Sequence, residues 1–287
     1  MSVQSCVTIR SQILQRLTAI PGNGIEDMAL SLLALRKDGA DPRQLLGAQR
    51  RSGAWSAHPG SGPPSAFHTA LALLAIRPFQ TSSVRQAAER AFEWLSELRG
   101  LESHWLWQWK FRLFDKQVRF DQSKSGWPWV PGTVSWVAPT ALSVLAFRAW
   151  HRASPRTAAA AAMLMDRACP QGGWNAGNSV VFGVNLDPHP DFTAMAVLAL
   201  RGCGPACEIL LNRSLNYLAT RLEGSSSPYS LAWAVMALSA NGHRNAGHLR
   251  RQLECCAAAR SDALSQRVLA LAALALEDPP YLFQEAP

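Results

Sequence analysis

The acidic residues of this chain are few, 20 Asp and Glu against 28 Lys and Arg. One of them stands at the head of an apolar run: Asp191 in "PHPDFTAMAVLAL". A carboxylic acid in an apolar cavity is kept protonated by desolvation and can give its proton to an electron-rich carbon. The same residue at a helix start can instead cap the helix, here one beginning near Thr193. His189, two residues earlier, is either a possible partner of that acid or a loop imidazole. Aromatic side chains form the second group. Trp105, Trp107, Trp109, Trp136, Phe147, Phe192 and Trp233 could line a substrate cavity and stabilise a carbocation by cation–π attraction, or they could pack the core. The alternating Trp of "HWLWQW" would suit a rim open to a membrane or a substrate.

Other chemistries lack their residues. There is no Asp-Asp pair to hold magnesium on a diphosphate. Cys203, Cys207 and His189 form no recognisable zinc motif, and no metal or other cofactor is expected. No GxSxG elbow is present. The GxG of "PGNGIED" follows no strand and reads as a turn. Sugar cleavage needs two facing carboxylates. The loop acids Glu102, Asp121, Asp187 and Asp191 are its few candidates, and the apolar runs add almost none.

Composition narrows the partners. The net charge of +8 comes from short basic stretches on amphipathic segments. They read as a solvated face, with weak association to an anionic membrane as the alternative. No nucleic-acid motif accompanies them, so nucleic acid is not expected. No apolar leader precedes the six cysteines, and no run reaches the ~18 apolar residues that would span a bilayer. A cytoplasmic, thiol-reduced protein is expected, at most peripheral to the membrane.

The positioning elements repeat. "ALSLLAL", "TALALLAI", "TALSVLAF", "TAMAVLAL", "SLAWAVMAL" and "VLALAALAL" recur with a period of about 40 residues, stretched by insertions. Ala and Leu richness with little β-branching predicts helices, and apolar character all round predicts that they are buried. Amphipathic segments such as "SSVRQAAERAFEWLSELRG" lie between them. Six pairs of inner and outer helices closing into an α/α toroid is the expected all-α architecture. It would span residues 25–278, with an N-terminal extension or first outer helix at 1–24 and a tail at 279–287. Three loops ahead of inner helices carry Gln, Gly and Trp, followed by Thr-Ala. They hold Gln49, Gly53 and Trp55; Gln122, Gly126 and Trp127; and Gln171, Gly173 and Trp174. Gly would allow the turn, Trp would cover the barrel end, and Gln would bond helix-terminal backbone.

These loops resemble the prenyltransferase and squalene-oxidase-type repeats of squalene–hopene cyclases, oxidosqualene cyclases and protein prenyltransferase β subunits. "QRRSGAW" is similar to the Q-x3-G-x-W repeat of the triterpene cyclases. The stretches "GWPWVPGTVSWVAPTALSVLAF" and "CPQGGWNAGN" look like single-domain bacterial proteins with the same repeats. The resemblance covers residues 25–276 and implies an isoprenoid in an apolar central cavity. It also implies acid-initiated cyclisation, in which the central Asp of a D-x-D-D-T-A motif gives the proton. On Thr193-Ala194, Asp191 takes the proton-donor position, while His189 and Phe192 replace the flanking carboxylates. Ala138 stands where the relatives carry Glu. A non-catalytic toroid that binds a lipid or a protein partner is the competing expectation.

Overall fold

In the computed structural model, residues 3–20, 22–107, 109 and 120–277 are described. Helices alternate between two rings. The outer ring holds α1 (Val3–Ala19), α3 (Arg43–Gly47), α5 (Ser82–Glu97), α7 (Pro155–Asp166), α9 (Pro205–Arg221) and α11 (Ala246–Arg260). The inner ring holds α2 (Ile25–Ala34), α4 (Ala66–Ile76), α6 (Val137–Ala149), α8 (Pro190–Leu200), α10 (Pro228–Ala240) and α12 (Gln266–Ala275). Each inner helix packs on the next, and α12 packs back on α2, so the ring closes. The fold is an all-α toroid. The proposed tail at 279–287 lies outside the described residues.

Side-chain pattern decides the ring in which a helix sits. The α10 side chains from Leu231 to Leu238 are all buried, as are those of α8 from Thr193 to Leu200. A helix that is apolar all round has no face for solvent. Frequent Ala lets backbones approach, so each inner helix is enclosed by neighbours. Helix α5 instead buries a stripe, Val84, Ala87, Ala88, Ala91, Phe92 and Leu95, and exposes the rest. Thr81 caps α5 by accepting from the Val84 N–H at 3.2 Å. Proline opens α7, α8, α9 and α10, at the position where a missing N–H costs nothing. At the seam, the Glu277 carboxylate meets Arg36 and Lys37 at 2.7 Å each. Among the described residues, no helix is long and apolar enough to cross a membrane.

The Trp loops use one hydrogen-bond pattern three times. The backbone N–H of Trp55, Trp127 and Trp174 donates to the hydroxyl of Thr69, Thr140 and Thr193 at 2.9 Å in each case. The indole N–H of the same residues donates to the carbonyls of Leu45, Leu95 and Leu164 at 2.8, 2.8 and 2.6 Å. Each Leu is two residues from the end of an outer helix, where carbonyls have no partner within the helix. One Trp therefore joins the end of an outer helix to the start of the next inner helix. The loops also reach round the ring: the Ala66 N–H of α4 donates to Trp129, and the Val137 N–H of α6 to Ala176.

The glycines serve this pattern by two routes. Gly53 and Gly173 have φ of +89° and +80°, a region that favours glycine. Gly126 does not; a Cβ there would lie 2.3 Å from the Thr140 hydroxyl. The glutamines do not act alike. Gln49 donates to the carbonyls of Gly53 and Ala87, the latter inside α5 and not at its end. The side chain of Gln171 reaches Leu186 only at 3.5 Å.

Alternation places the hairpins β1 (Trp55–His58)–β2 (Ser61–Ser65) and β3 (Val180–Val181)–β4 (Val184–Asn185) at the end of the toroid where inner helices begin. Replacing Gly126 by Val should lower stability by about 1–3 kcal/mol through overpacking against Thr140. Gly47→Ala, where an added Cβ meets nothing within 4 Å, should leave the melting temperature unchanged or higher. Thermal denaturation followed by circular dichroism checks both.

Candidate active site at the mouth of the toroid

A cavity of about 490 Å³ opens at this end. The second residue of every inner helix lines it: Glu26, Phe67, Ala138, Asp191, Tyr229 and Arg267. His68, Phe192, Met195, Val268, Ser265 and Trp129 complete the wall. One turn deeper on the same helix faces stand Leu30, Leu71, Leu142, Met195, Trp233 and Leu271. None of these is more than 2% exposed, and they close the ring beneath the cavity. The space is thus a cup at one end of the toroid. Its volume lies within the range of small-molecule sites.

Asp191 does not cap α8. Pro190 takes the first helical position and His189 the N-cap, which starts the helix three residues before Thr193 and puts Asp191 in the first turn. Its Oδ1 is buried with no hydrogen-bond partner. Burial pushes its carboxyl above the usual Asp range, against opposing pulls from the Ser230 hydroxyl and the His189 imidazole. His189 is exposed, and its ring meets Phe192 edge-on at 5.8 Å.

Four titratable or charged residues of the cavity, Glu26, His68, Tyr229 and Arg267, were not among the sequence candidates. Burial raises the Glu26 carboxyl, and Arg267, 3.3 Å away, opposes that rise. Burial, and then His58, push the His68 imidazole down to about 4, so it is neutral at pH 7. The His68 Nδ1 lies 2.9 Å from the Ser65 hydroxyl. Burial, followed by the charge of Glu26, raises the Tyr229 phenol. Two helices separate α2 from α8 in either direction round the ring, so Glu26 and Asp191 stand on opposite walls. A register signal for these residues exists: each second residue lies three before an alanine, namely Ala29, Ala70, Ala141, Ala194, Ala232 and Ala270.

The aromatic candidates disperse. Phe192 lines the cavity, and Trp233 lies one turn below Tyr229 in its floor. Trp129, with its ring centroid 4.8 Å from that of Phe67, is an additional aromatic wall. Trp136 faces a separate pocket of about 120 Å³ beside Arg167 and Phe120. Phe147 packs against Phe92 at 4.9 Å and Trp127 at 5.6 Å, near the opposite end of its helix. Trp105 and Trp109 are each 65% exposed on a helical stretch between α5 and α6, and Trp107 on the same stretch is half-buried.

No family model matches the chain, and no curated protein matches it. Solved structures do. The α2-macroglobulin of Salmonella, reacted with methylamine, is similar over 93% of this chain and 17% of its own length, with 14% identity and a TM-score of 0.52. A fragment of Escherichia coli α2-macroglobulin from domain MG7 to the C-terminus is similar over 94% of this chain and 42% of its own, with 16% identity and a TM-score of 0.51. The chain spans less than half the length of these proteins. The type II terpene cyclase MstE from Scytonema is similar over 80% of this chain and 81% of its own, at 17% identity and a TM-score of 0.39. The α2-macroglobulin likenesses support the toroid as a fold and carry no activity with them.

A carboxyl raised by burial binds its proton more tightly in the folded chain than in the unfolded one. The stability this gives is present at low pH and is lost as pH rises through the folded value. Asp191→Asn removes that dependence. At pH 7 the variant should melt above the wild type. The gap should close as pH falls towards 4. Melting curves across that range check the sign.

Proposed function

We propose that the chain processes an isoprenoid by acid-initiated chemistry of the cyclase or isomerase type. The observation that carries this reading is the unpartnered, buried Oδ1 of Asp191 on the wall of an aromatic cavity. A protonated Asp191 gives its proton to a substrate double bond and leaves a tertiary carbocation. The faces of Phe67, Trp129, Phe192 and Tyr229 attract that cation. The cup excludes bulk water from the cation while the floor residues fix its depth. The substrate is a hydrophobic isoprenoid or a lipid of similar shape, and the chemistry requires no metal or redox cofactor.

A substrate of this kind resides in membranes. Among the described residues the exposed large apolar side chains are Trp105, Leu106, Trp109, Phe182, Val184, Leu186 and Ile209. All but Ile209 lie in the connections that lead from an outer helix to the next inner helix. With the net charge of +8, this distribution supports weak docking of these connections on an anionic bilayer surface, with the chain otherwise cytoplasmic.

Incubation of the wild type with squalene or shorter polyprenyl substrates should give cyclised or isomerised product. Asp191→Asn should reduce the rate by about 10²-fold or more, the usual contribution of a general acid. Equal turnover in both would remove Asp191 from the mechanism. No turnover in either would favour a toroid that binds a lipid or protein partner without catalysis.

Binding to phosphatidylserine vesicles should weaken with salt, and the double replacement Trp105→Ser with Trp109→Ser should lower it several-fold. Flotation measures both effects, and salt-insensitive or absent binding would count against docking.

A further inference from the structure

Glu26 stands on the wall opposite Asp191, on the far side of the space that a substrate must fill. Its carboxylate pairs with Arg267 at 3.3 Å, whereas Asp191 Oδ1 has no partner. Burial raises both carboxyls, but their surroundings differ: the Arg267 guanidinium favours the charged form of Glu26, whereas among the described residues no guanidinium or ammonium group forms an ion pair with Asp191.

We propose that Glu26 is the base that ends the reaction, so that the cavity moves one proton onto the substrate from the α8 wall and takes another off at the α2 wall. The inference rests on the reading of Asp191 as proton donor. The Asp191 O–H bond breaks, and the π pair of the substrate double bond forms a new C–H bond, which leaves a carbocation and an Asp191 carboxylate. The Glu26 carboxylate then removes a proton from a carbon beside the cationic centre. The released C–H pair becomes a new double bond. Substrate and product are isomers, and nothing is oxidised or reduced. Glu26 returns its proton to water at the rim, where the Arg267 side chain is 53% exposed, and Asp191 is reprotonated from water.

His68 is the other basic group on the cavity, but three features disfavour it. Its Nδ1 is occupied by the Ser65 hydroxyl, its imidazole is held down at about 4, and α4 is nearer to α8 round the ring than α2 is. Arg267 gives Glu26 a further advantage. Its guanidinium opposes the rise that burial causes in the Glu26 carboxyl and favours the carboxylate, without competing as an acid.

The test is product analysis in deuterated water with farnesol and geranylgeraniol as probes. The wild type should give an alkene isomer carrying one deuterium at the protonated carbon. Glu26→Gln should still incorporate deuterium, but the cation should be captured by water, so that the alcohol-to-alkene ratio rises at least tenfold. Glu26→Asp should restore alkene as the main product, which separates base chemistry from a folding defect, and melting temperatures of both variants should stay near wild type. An unchanged ratio in Glu26→Gln would overturn the role of Glu26 and leave Asp191 as the donor. A variant pattern in which Glu26→Gln is inactive and Asp191→Asn still incorporates deuterium would reverse the two roles and overturn the proposal. If the wild type incorporates no deuterium into either probe, both the proposal and the reading beneath it fall.

Discussion

The bond from an inner-helix threonine to a tryptophan backbone N–H is the contact on which the architecture depends. Thr69, Thr140 and Thr193 are fully buried, as are Trp55, Trp127 and Trp174. A buried N–H without an acceptor costs about 1–3 kcal/mol, so the hydroxyl at that position is required and not merely tolerated. The indole N–H then fixes how far the outer helix has travelled when the chain turns inward. Both ends of the connection are set by one residue type, and the offset between rings follows. The neighbouring half of the toroid, around α10 and α12, manages without it. There the loops are short, and Gln252 on α11 donates to the carbonyls of Leu222 and Ser225 in place of an indole.

That scaffold explains why the charged side chains of the inner helices stand near the helix ends. An inner helix enclosed on all sides cannot carry a charge in its middle, because an unpaired ion in an apolar interior is too costly. Charge is tolerated only in a first or last turn. Glu26, Asp191 and Arg267 all occupy first turns, at the end of the ring where the cavity opens. One turn below, large apolar residues meet and fill the ring. The cup is therefore the boundary between the part of the ring that packs and the part that opens.

The cost of such a site is visible in Asp191. A carboxyl with one unpartnered oxygen in a half-buried setting contributes less to stability than a neutral amide would. It persists in a fold that is otherwise tightly packed, as expected where a buried acid serves a reaction. Glu26 carries a burial penalty of the same sign, which its guanidinium partner opposes.

Local sequence determined much of this. Ala- and Leu-rich runs could be nothing but buried helices, amphipathic segments had to surround them, and Gly-Trp followed by Thr-Ala marked three of the turns. Those properties depend on neighbours a few residues away, and the chain encodes them directly. Asp191 was legible because it precedes a Thr-Ala pair. Glu26, Tyr229 and Arg267 share its register, but Met28-Ala29, Leu231-Ala232 and Leu269-Ala270 replace the Thr-Ala pair, so the repeat was hidden at those positions. Tertiary structure alone decided that Pro190, and not Asp191, opens the turn, and that Trp136 and Phe147 point away from the cup. It alone also decided that residues 165 positions apart, Glu26 and Asp191, face each other. Closure of the ring brings them together, because α12 packs on α2, and no local pattern in the chain specifies which wall lies opposite which.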